Sequence, residues 1–250
     1  MTSHLVTPGI ILRETETKEA DKILTVLTRD LGKVSVIARG ARRKGCRFAA
    51  SAQLLAYSEL TLYKSKDWYF LNEGATLELF PGLRRDLELL ALGSYFAELT
   101  EAVSGEELPA PEVLSLLLNA LYALDRLHKP QLLVKGAFEL RLMALSGYEP
   151  LAEGCVYCGK EEPEEAMLDI RQGVLHCRAC GEKGMGLSLP LSPPTLAAVR
   201  HALYGDAKRL YSFTLGEEPM EQFAQVAEAF SAAQLERDFR TLSFYKSIKI

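Results

Sequence analysis

Five cysteines occur in the chain, and four of them have the spacing of a metal site. The four form two pairs, each with two intervening residues, and eighteen residues separate the pairs: they are Cys155, Cys158, Cys177 and Cys180. Because two intervening residues let one tight turn present both sulfurs to a tetrahedral ion, the spacing predicts one bound Zn²⁺ ion. Four thiolates leave no open coordination position, so the ion would be structural. A redox dithiol or disulfides are the alternatives.

The segment between the two cysteine pairs predicts a hairpin that returns the second pair to the first. Two short apolar runs flank Arg171-Gln172-Gly173 there, which is the pattern of two strands and a turn. Gly159 and Gly181 follow the pairs and would let backbone amides turn towards the thiolates. His176 adjoins the second pair, but four cysteines already fill a tetrahedron. Cys46 is interpreted as an isolated thiol.

A second group of residues with chemical potential is cationic. Between Arg29 and Arg47 the chain has seven basic residues and one acid, although its net charge is −4. Because charge is screened beyond about 8–10 Å at physiological salt, such a segment can bind a polyanion locally. The segment predicts phosphate contacts, and a solvated charged loop is the alternative. The candidate contacts are Lys33, Arg39, Arg42, Arg43, Lys44 and Arg47.

Aromatic residues follow the basic segment in two predicted strands: Tyr57, Tyr63, Trp68, Tyr69 and Phe70. Aromatic side chains on a barrel can stack on the bases of a single strand. They are also common in half-buried strands, so packing in the core is the other interpretation.

The elements that must position these groups change type near residue 80. Residues 1–80 predict about five short strands, among them Lys33–Ala38 and a hairpin of Tyr57–Lys64 with Trp68–Glu73, which favours a small closed barrel. Pro81-Gly82 ends this part, and helical apolar spacing follows. Helices are predicted at 83–103, 111–127, 130–147, 193–204 and 220–239. Their wide apolar faces indicate packing as a bundle.

Several functional classes are excluded by what the sequence lacks. No run of about 18 uncharged apolar residues is present, and the first residues lack the pattern of a secretory signal, so a cytoplasmic protein is expected. No phosphate-cradling glycine motif occurs around Gly40 and Gly45. The four histidines are scattered and adjoin no nucleophile motif, so we expect no enzyme.

Two sets of motifs resemble the RecO family of DNA-repair proteins. In the second half, Phe138-Glu139-Leu140-Arg141-Leu142 leads into Gly147-Tyr148-Glu149-Pro150-Leu151 and the first cysteine pair. Near the N-terminus, Leu31-Gly32-Lys33 precedes Ala38-Arg39-Gly40-Ala41-Arg42-Arg43. The resemblance covers essentially the whole chain. One departure is Gln172-Gly173, where many relatives have two glycines.

The resemblance implies an α+β multidomain fold with an N-terminal OB-fold β-barrel and a C-terminal helical bundle that contains an embedded zinc ribbon with four cysteine ligands. The implied domains are an OB-fold DNA-binding domain at 1–80, a helical domain at 81–151 and 186–250, and the zinc ribbon at 152–185. The four cysteines become the zinc ligands, and the six candidate cations become DNA contacts.

The resemblance also implies a function, that of a non-enzymatic recombination mediator in the cytoplasm, associated with the nucleoid. Such a protein binds ssDNA and dsDNA and anneals complementary strands. It joins RecR, contacts the single-strand-binding protein SSB and helps to load RecA. The alternatives are a zinc-ribbon accessory factor of transcription or translation, an interaction scaffold without a DNA role, and a hydrolase.

Overall fold

Five strands form a closed barrel in the first part of the chain. The computed structural model describes residues 4–17, 20–181 and 186–248. The strands are β1 (His4–Thr17), β2 (Asp21–Thr28), β3 (Gly32–Ala38), β4 (Tyr57–Ser65) and β5 (Trp68–Glu78). They are hydrogen-bonded in the order β1-β2-β3-β5-β4, and β4 pairs with β1 to close the barrel. The predicted barrel is confirmed, including its second hairpin.

Residues that face the barrel core alternate along β3 with residues that face outward. Val34, Val36 and Ala38 are buried in the barrel core, whereas Lys33 and Ile37 are only partly buried and lie on the other face. This period of two lets each strand give one face to the core. β3 pairs with β5 in parallel, and the other ladders of the barrel are antiparallel.

The connection between β3 and β4 is a succession of turns that contributes side chains to the barrel core. Ala41 and Ala52 belong to the barrel core, and Phe48 packs against it. The amide of Gly40 donates to Oδ1 of Asp21 at 2.7 Å, and the amide of Leu55 donates to a β1 carbonyl at 2.9 Å. The predicted loop is therefore present, but both its ends are tied to the barrel.

Seven helices are present in the part of the chain that the structure describes. They are α1 (Pro81–Arg85), α2 (Leu87–Val103), α3 (Pro111–Asp125), α4 (Gln131–Leu145), α5 (Pro193–Tyr204), α6 (Glu217–Leu235) and α7 (Arg240–Ile248). The sequence predicted one helix at 83–103, but Asp86 interrupts it and caps α2 by accepting from the amide of Leu89 at 3.0 Å. The predicted last helix was too long, because Glu236 adopts a φ of 49°. None of these helices is long and apolar enough to cross a membrane.

The chain forms two compact units, and the boundary between them is not the point near residue 80 where strands give way to helices. One unit comprises residues 1–126 and 239–250, and the other comprises 127–238. In the first, α7 lies against α2, where Glu98 accepts from the amide of Thr241 at 3.1 Å. Tyr95 packs edge-on against Phe239 with 5.7 Å between ring centroids. The four-part domain division stays a prediction.

A buried carboxylate fixes the entry into the helical part of the first unit. Oδ1 of Asp125 accepts from the amide of Leu83 at 2.9 Å and so caps α1 from another helix, α3. A Cβ at Gly82 would lie 2.7 Å from the same oxygen, so only glycine permits this approach.

Replacing Asp125 with Ala is expected to lower the free energy of unfolding by about 1–3 kcal/mol, because the amide of Leu83 would stay buried without an acceptor. Urea unfolding followed by circular dichroism measures this loss. Asp125→Asn keeps the acceptor oxygen and should lose much less. Equal losses in both variants would contradict the capping role.

The second unit consists of α4, α5, α6 and a small sheet. The sheet has the order β7-β6-β8, with β6 (Ala166–Asp169), β7 (Val174–Cys177) and β8 (Ser188–Pro190). α4 and α6 pack together around a buried ion cluster in which Nζ of Lys135 lies 2.8 Å from Glu139 and 2.9 Å from Glu228. Residues 182–185, the end of the predicted ribbon, lie outside the described residues.

Candidate metal centre and nucleic-acid interface

The four predicted ligands meet at one point in the second unit. The sulfurs of Cys155, Cys158, Cys177 and Cys180 all lie within 4.8 Å of one another. The sulfurs of Cys158 and Cys177 are 3.8 Å apart, which is about the edge of a tetrahedron of thiolates around an ion with metal–sulfur bonds of about 2.3 Å. The donor set and its dimensions therefore fit a four-coordinate metal ion.

The predicted hairpin brings the second cysteine pair to the first. β6 and β7 pair in antiparallel register, with Ala166 opposite Cys177. Oδ1 of Asp169 accepts from the amides of Arg171 and Gln172, each at 2.9 Å, and Gly173 has a φ of 66°. These contacts fix the turn and the register, so the position of Cys177 follows from the sequence of the hairpin.

The amides of the glycines after each pair bond to carbonyl oxygens, and amides of neighbouring residues turn towards a sulfur. The amide of Gly159 donates to the carbonyl of Cys155 at 2.8 Å, and that of Gly181 donates to the carbonyl of Cys177 at 3.2 Å. They close the turns without reaching the sulfurs. Among the amides that reach the sulfur of Cys155 is that of Cys177, at 3.3 Å from Sγ.

The electrostatics of the cluster differ from one cysteine to the next. Burial would raise the pKa of Cys155, but the backbone amides of Cys158, Cys177 and Tyr157 lower that pKa to about 6. The hydrogen bond with Cys158, together with burial, raises the pKa of Cys180 to about 12. One thiolate therefore forms readily and opposes the ionisation of its neighbours, a repulsion that a bound cation would remove.

His176 is placed as a support of the cluster. Its Nδ1 lies 2.9 Å from the carbonyl oxygen of Cys177, and its Nε2 lies 3.0 Å from Oγ of Ser188. Both ring nitrogens are thus engaged outside the group of four sulfurs, in agreement with the interpretation that cysteines alone fill the site.

Arg200 of α5 binds the backbone on both sides of the first cysteine pair, a role that the sequence did not indicate. Its Nε donates to the carbonyl of Ala152 and its Nη2 to that of Glu153, both at 2.9 Å. The same side chain contacts the carbonyl of Glu161 and pairs with the carboxylate of Glu162. One guanidinium therefore ties together the segments that enter and leave the first pair.

Replacing Arg200 with Ala should weaken metal binding by about 10-fold, since residues that orient a metal site from outside its ligands have effects of this size. Competition with a chromophoric chelator measures the affinity. Arg171→Ala is the matched control, because Arg171 is exposed at the hairpin turn. Equal metal affinity in the two variants would contradict the role of Arg200 in holding the first cysteine pair.

The six predicted cations lie in the first unit. Five are exposed, of which two contact a neighbouring side chain, and the sixth is engaged internally. Arg43, Lys44 and Arg47 are exposed, and none of them forms an ion pair among the described residues. Arg42 pairs with Glu16 at 3.1 Å, and the guanidinium of Arg39 lies 4.6 Å from the centroid of Phe70.

Lys33 is the member of the predicted set that is engaged internally. Its Nζ donates to the carbonyl of Glu101 at 3.0 Å and lies 3.3 Å from the carboxylate of Glu106. Only 14% of its side chain is exposed. A phosphate reaches this ammonium only if Lys33 leaves these oxygens, so the exposed loop cations are the stronger candidates.

The aromatic residues divide between the two interpretations. Tyr69 is packed against the barrel core, and Tyr57 is half-buried. Tyr63 and Phe70 stack on each other, with 5.1 Å between centroids and 14° between planes. Trp68 stays exposed on the surface of the barrel.

Comparisons with known proteins agree over nearly the whole chain. The family profile described as "Recombination protein O N terminal" matches residues 1–80, and that described as "Recombination protein O C terminal" matches residues 84–243. The chain is 32% identical to "DNA repair protein RecO" of Acetivibrio thermocellus over 98% of both chains. It is also 32% identical to the protein of that name from Symbiobacterium thermophilum over 96% of both chains. For the protein of that name from Bacillus subtilis the identity is 30%, over 89% of this chain and 86% of the other.

Proposed function

The chain belongs to the RecO family of DNA-repair proteins, and from that premise we propose that it is a non-enzymatic mediator of recombination. It binds single- and double-stranded DNA and anneals complementary strands. With RecR it helps to load RecA on single strands that SSB covers. Its place is the cytoplasm, at the nucleoid.

One observation carries the DNA-binding part of this proposal: a group of exposed cations on a loop that packs against the barrel core. Arg43, Lys44 and Arg47 project from a connection whose alanines belong to the barrel core. The backbone is therefore ordered before DNA arrives, which reduces the entropy lost on binding. Cations of this kind bind phosphates with little regard to sequence, and the affinity falls steeply with salt.

Annealing can follow from these contacts without a catalytic group. Two complementary strands repel each other through their phosphates, and cations that neutralise both strands lower this repulsion. Base pairing then supplies the free energy of the product. The protein needs to bring two strands together, which requires no acid, base or nucleotide.

The metal site contributes structure to this function, and we assign Zn²⁺ to it. Four thiolates at tetrahedral spacing are the donor set that zinc takes in closed structural sites. Such an ion stabilises the turns at both cysteine pairs. The ligands leave no position for a substrate, which is consistent with a DNA-binding surface elsewhere in the chain.

The decisive experiment is annealing of complementary oligonucleotides that are coated with SSB, followed by fluorescence energy transfer between end labels. The protein is expected to accelerate annealing, and the acceleration should fall as salt rises. Addition of RecR and RecA then tests loading on the coated strand. Absence of acceleration at low salt, where the protein binds either strand alone, would contradict the annealing role.

Binding to unrelated sequences tests one of the alternatives, a sequence-specific accessory factor. A mediator should bind oligonucleotides of different sequence with similar affinity. A specific factor should discriminate between them by about 4–10 kcal/mol, as specific readers of DNA do.

A further inference from the structure

We propose that Trp68 stacks on an unpaired base and so makes the barrel prefer single strands, beside a phosphate contact from Arg39. This inference rests on the proposed function and adds to it a residue and a class of substrate. The cation cluster and the metal site do not distinguish unpaired from paired strands, because phosphates are present in both forms of DNA.

The first step is the row of rings across the outer surface of the barrel. In the register of β1, β4 and β5, His4 lies opposite Tyr63, and Tyr63 lies opposite Phe70. The centroids are 5.8 Å apart for His4 and Tyr63 and 5.1 Å apart for Tyr63 and Phe70. Arg39 covers Phe70. Tyr63 and Phe70 are therefore flanked by partners, and Phe70 is only 8% exposed.

Trp68 is the aromatic residue of this surface that lacks such a partner in the described part of the chain. It lies two residues before Phe70 in β5, so both side chains point to the same face of the sheet. Its exposed fraction is 44%, and no ring or cation packs against the indole among the described residues. The packed rings of His4, Tyr63 and Phe70 hold this part of the strand in place, and one face of the indole is accessible to a ligand.

Cationic side chains lie on the same part of the barrel as Trp68. Two residues along a strand span about 7 Å, so the Phe70 ring that Arg39 covers lies about that far from the indole. Because β3 runs parallel to β5 with Ile37 opposite Phe70, Arg39 approaches that ring from the side away from Trp68. The turn between β4 and β5 adds the exposed Lys66, next to the exposed Asp67. Lys64 is paired with Glu107 at 2.8 Å. An exposed aromatic face with a guanidinium one ring further along the same surface suits a single strand, with one base on Trp68 and a phosphate further along the strand towards Arg39.

This arrangement discriminates between the two forms of DNA by access to the base. In a duplex both faces of each base are already stacked, so the indole gains no partner. In a single strand the base is available, and stacking of this kind strengthens binding considerably. We expect Trp68→Ala to weaken binding to single strands by about 10-fold and to leave binding to a blunt duplex unchanged.

The chain contains one tryptophan, so its fluorescence reports on this position alone. An oligothymidylate, an abasic oligomer of equal length and a blunt duplex are titrated against the wild type, with dye anisotropy reporting on binding. Quenching of Trp68 by the oligothymidylate, in step with binding, is the expected result. The abasic oligomer should bind through its phosphates without quenching.

Two variants complete the test. Trp68→Phe should keep much of the affinity for single strands, because it keeps a stacking ring. Leu77→Ala is the matched control, since Leu77 is another exposed apolar residue of β5. Circular dichroism verifies that each variant is folded.

The outcomes separate this inference from the proposed function. Binding of the oligothymidylate with unchanged Trp68 fluorescence, or equal affinity of wild type and Trp68→Ala, would overturn the stacking role and leave DNA binding intact. If the wild type bound none of the three oligomers, the proposed function would fall and this inference with it.

Discussion

Reversal of Arg43, Lys44 and Arg47 to Glu should lower the affinity for single-stranded DNA by about 10³-fold. Each cation is expected to make one charged hydrogen bond to a phosphate, with a contribution of about 1.5 kcal/mol, and three such losses give this factor. These residues are exposed and have no ion pair among the described residues, so reversal breaks no internal contact of this kind. The barrel should remain folded.

Fluorescence anisotropy with a labelled oligonucleotide measures this loss at several salt concentrations. The slope of log affinity against log salt should become shallower by about two, since each lost phosphate contact on a single strand removes about 0.7. The matched control reverses three exposed cations of the other unit, Arg171, Lys208 and Arg209, and so changes the net charge equally. Equal losses in both triple variants would show that net charge matters and that the loop does not.

Loss of the metal should unfold the cysteine ribbon, and Cys155→Ser is the sharpest way to produce it. Cys155 is 2% exposed, and its sulfur receives an amide hydrogen bond, so a serine there neither ionises nor coordinates zinc well. In small zinc domains metal binding supplies on the order of 10 kcal/mol of folding free energy. The part of this energy that other contacts of the second unit do not replace will appear as lost stability.

Metal content and thermal unfolding measure the effect, with chelation of the wild type as a parallel experiment. Cys46→Ser is the matched control, because Cys46 lies in the other unit and outside the cluster. It should keep one zinc ion per chain. Affinity for single strands should stay close to that of the wild type in Cys155→Ser. A folded Cys155→Ser protein that had lost DNA affinity would place the DNA-binding site at the ribbon.

Local patterns explain most of what the sequence predicted correctly. The cysteine spacing and the hairpin between the pairs involve residues near one another in the chain, so the cluster follows from them. The alternation of β3 likewise identified a barrel strand. The end of α6 was missed because Glu236, which stops the helix in a left-handed conformation, carries no sequence signal for that role.

Contacts between residues distant in the chain could not be predicted from the sequence. Arg200 reaches carbonyls about fifty residues away, and the engagement of Lys33 depends on Glu101 and Glu106, at the end of α2 and just beyond it. From charge and spacing alone, Lys33 was predicted to contact phosphate together with the loop cations. Only the folded chain shows that its ammonium is engaged within the first unit.

The pairing of α2 with α7 has a consequence for synthesis of the protein. Residues 127–238 form a unit of their own between the two parts of the other unit. The whole middle unit is therefore synthesised between α2 and α7, and the face of α2 that α7 covers stays exposed until residues 240–248 emerge. During translation the barrel-containing part is exposed to chaperones and proteases for the longer time.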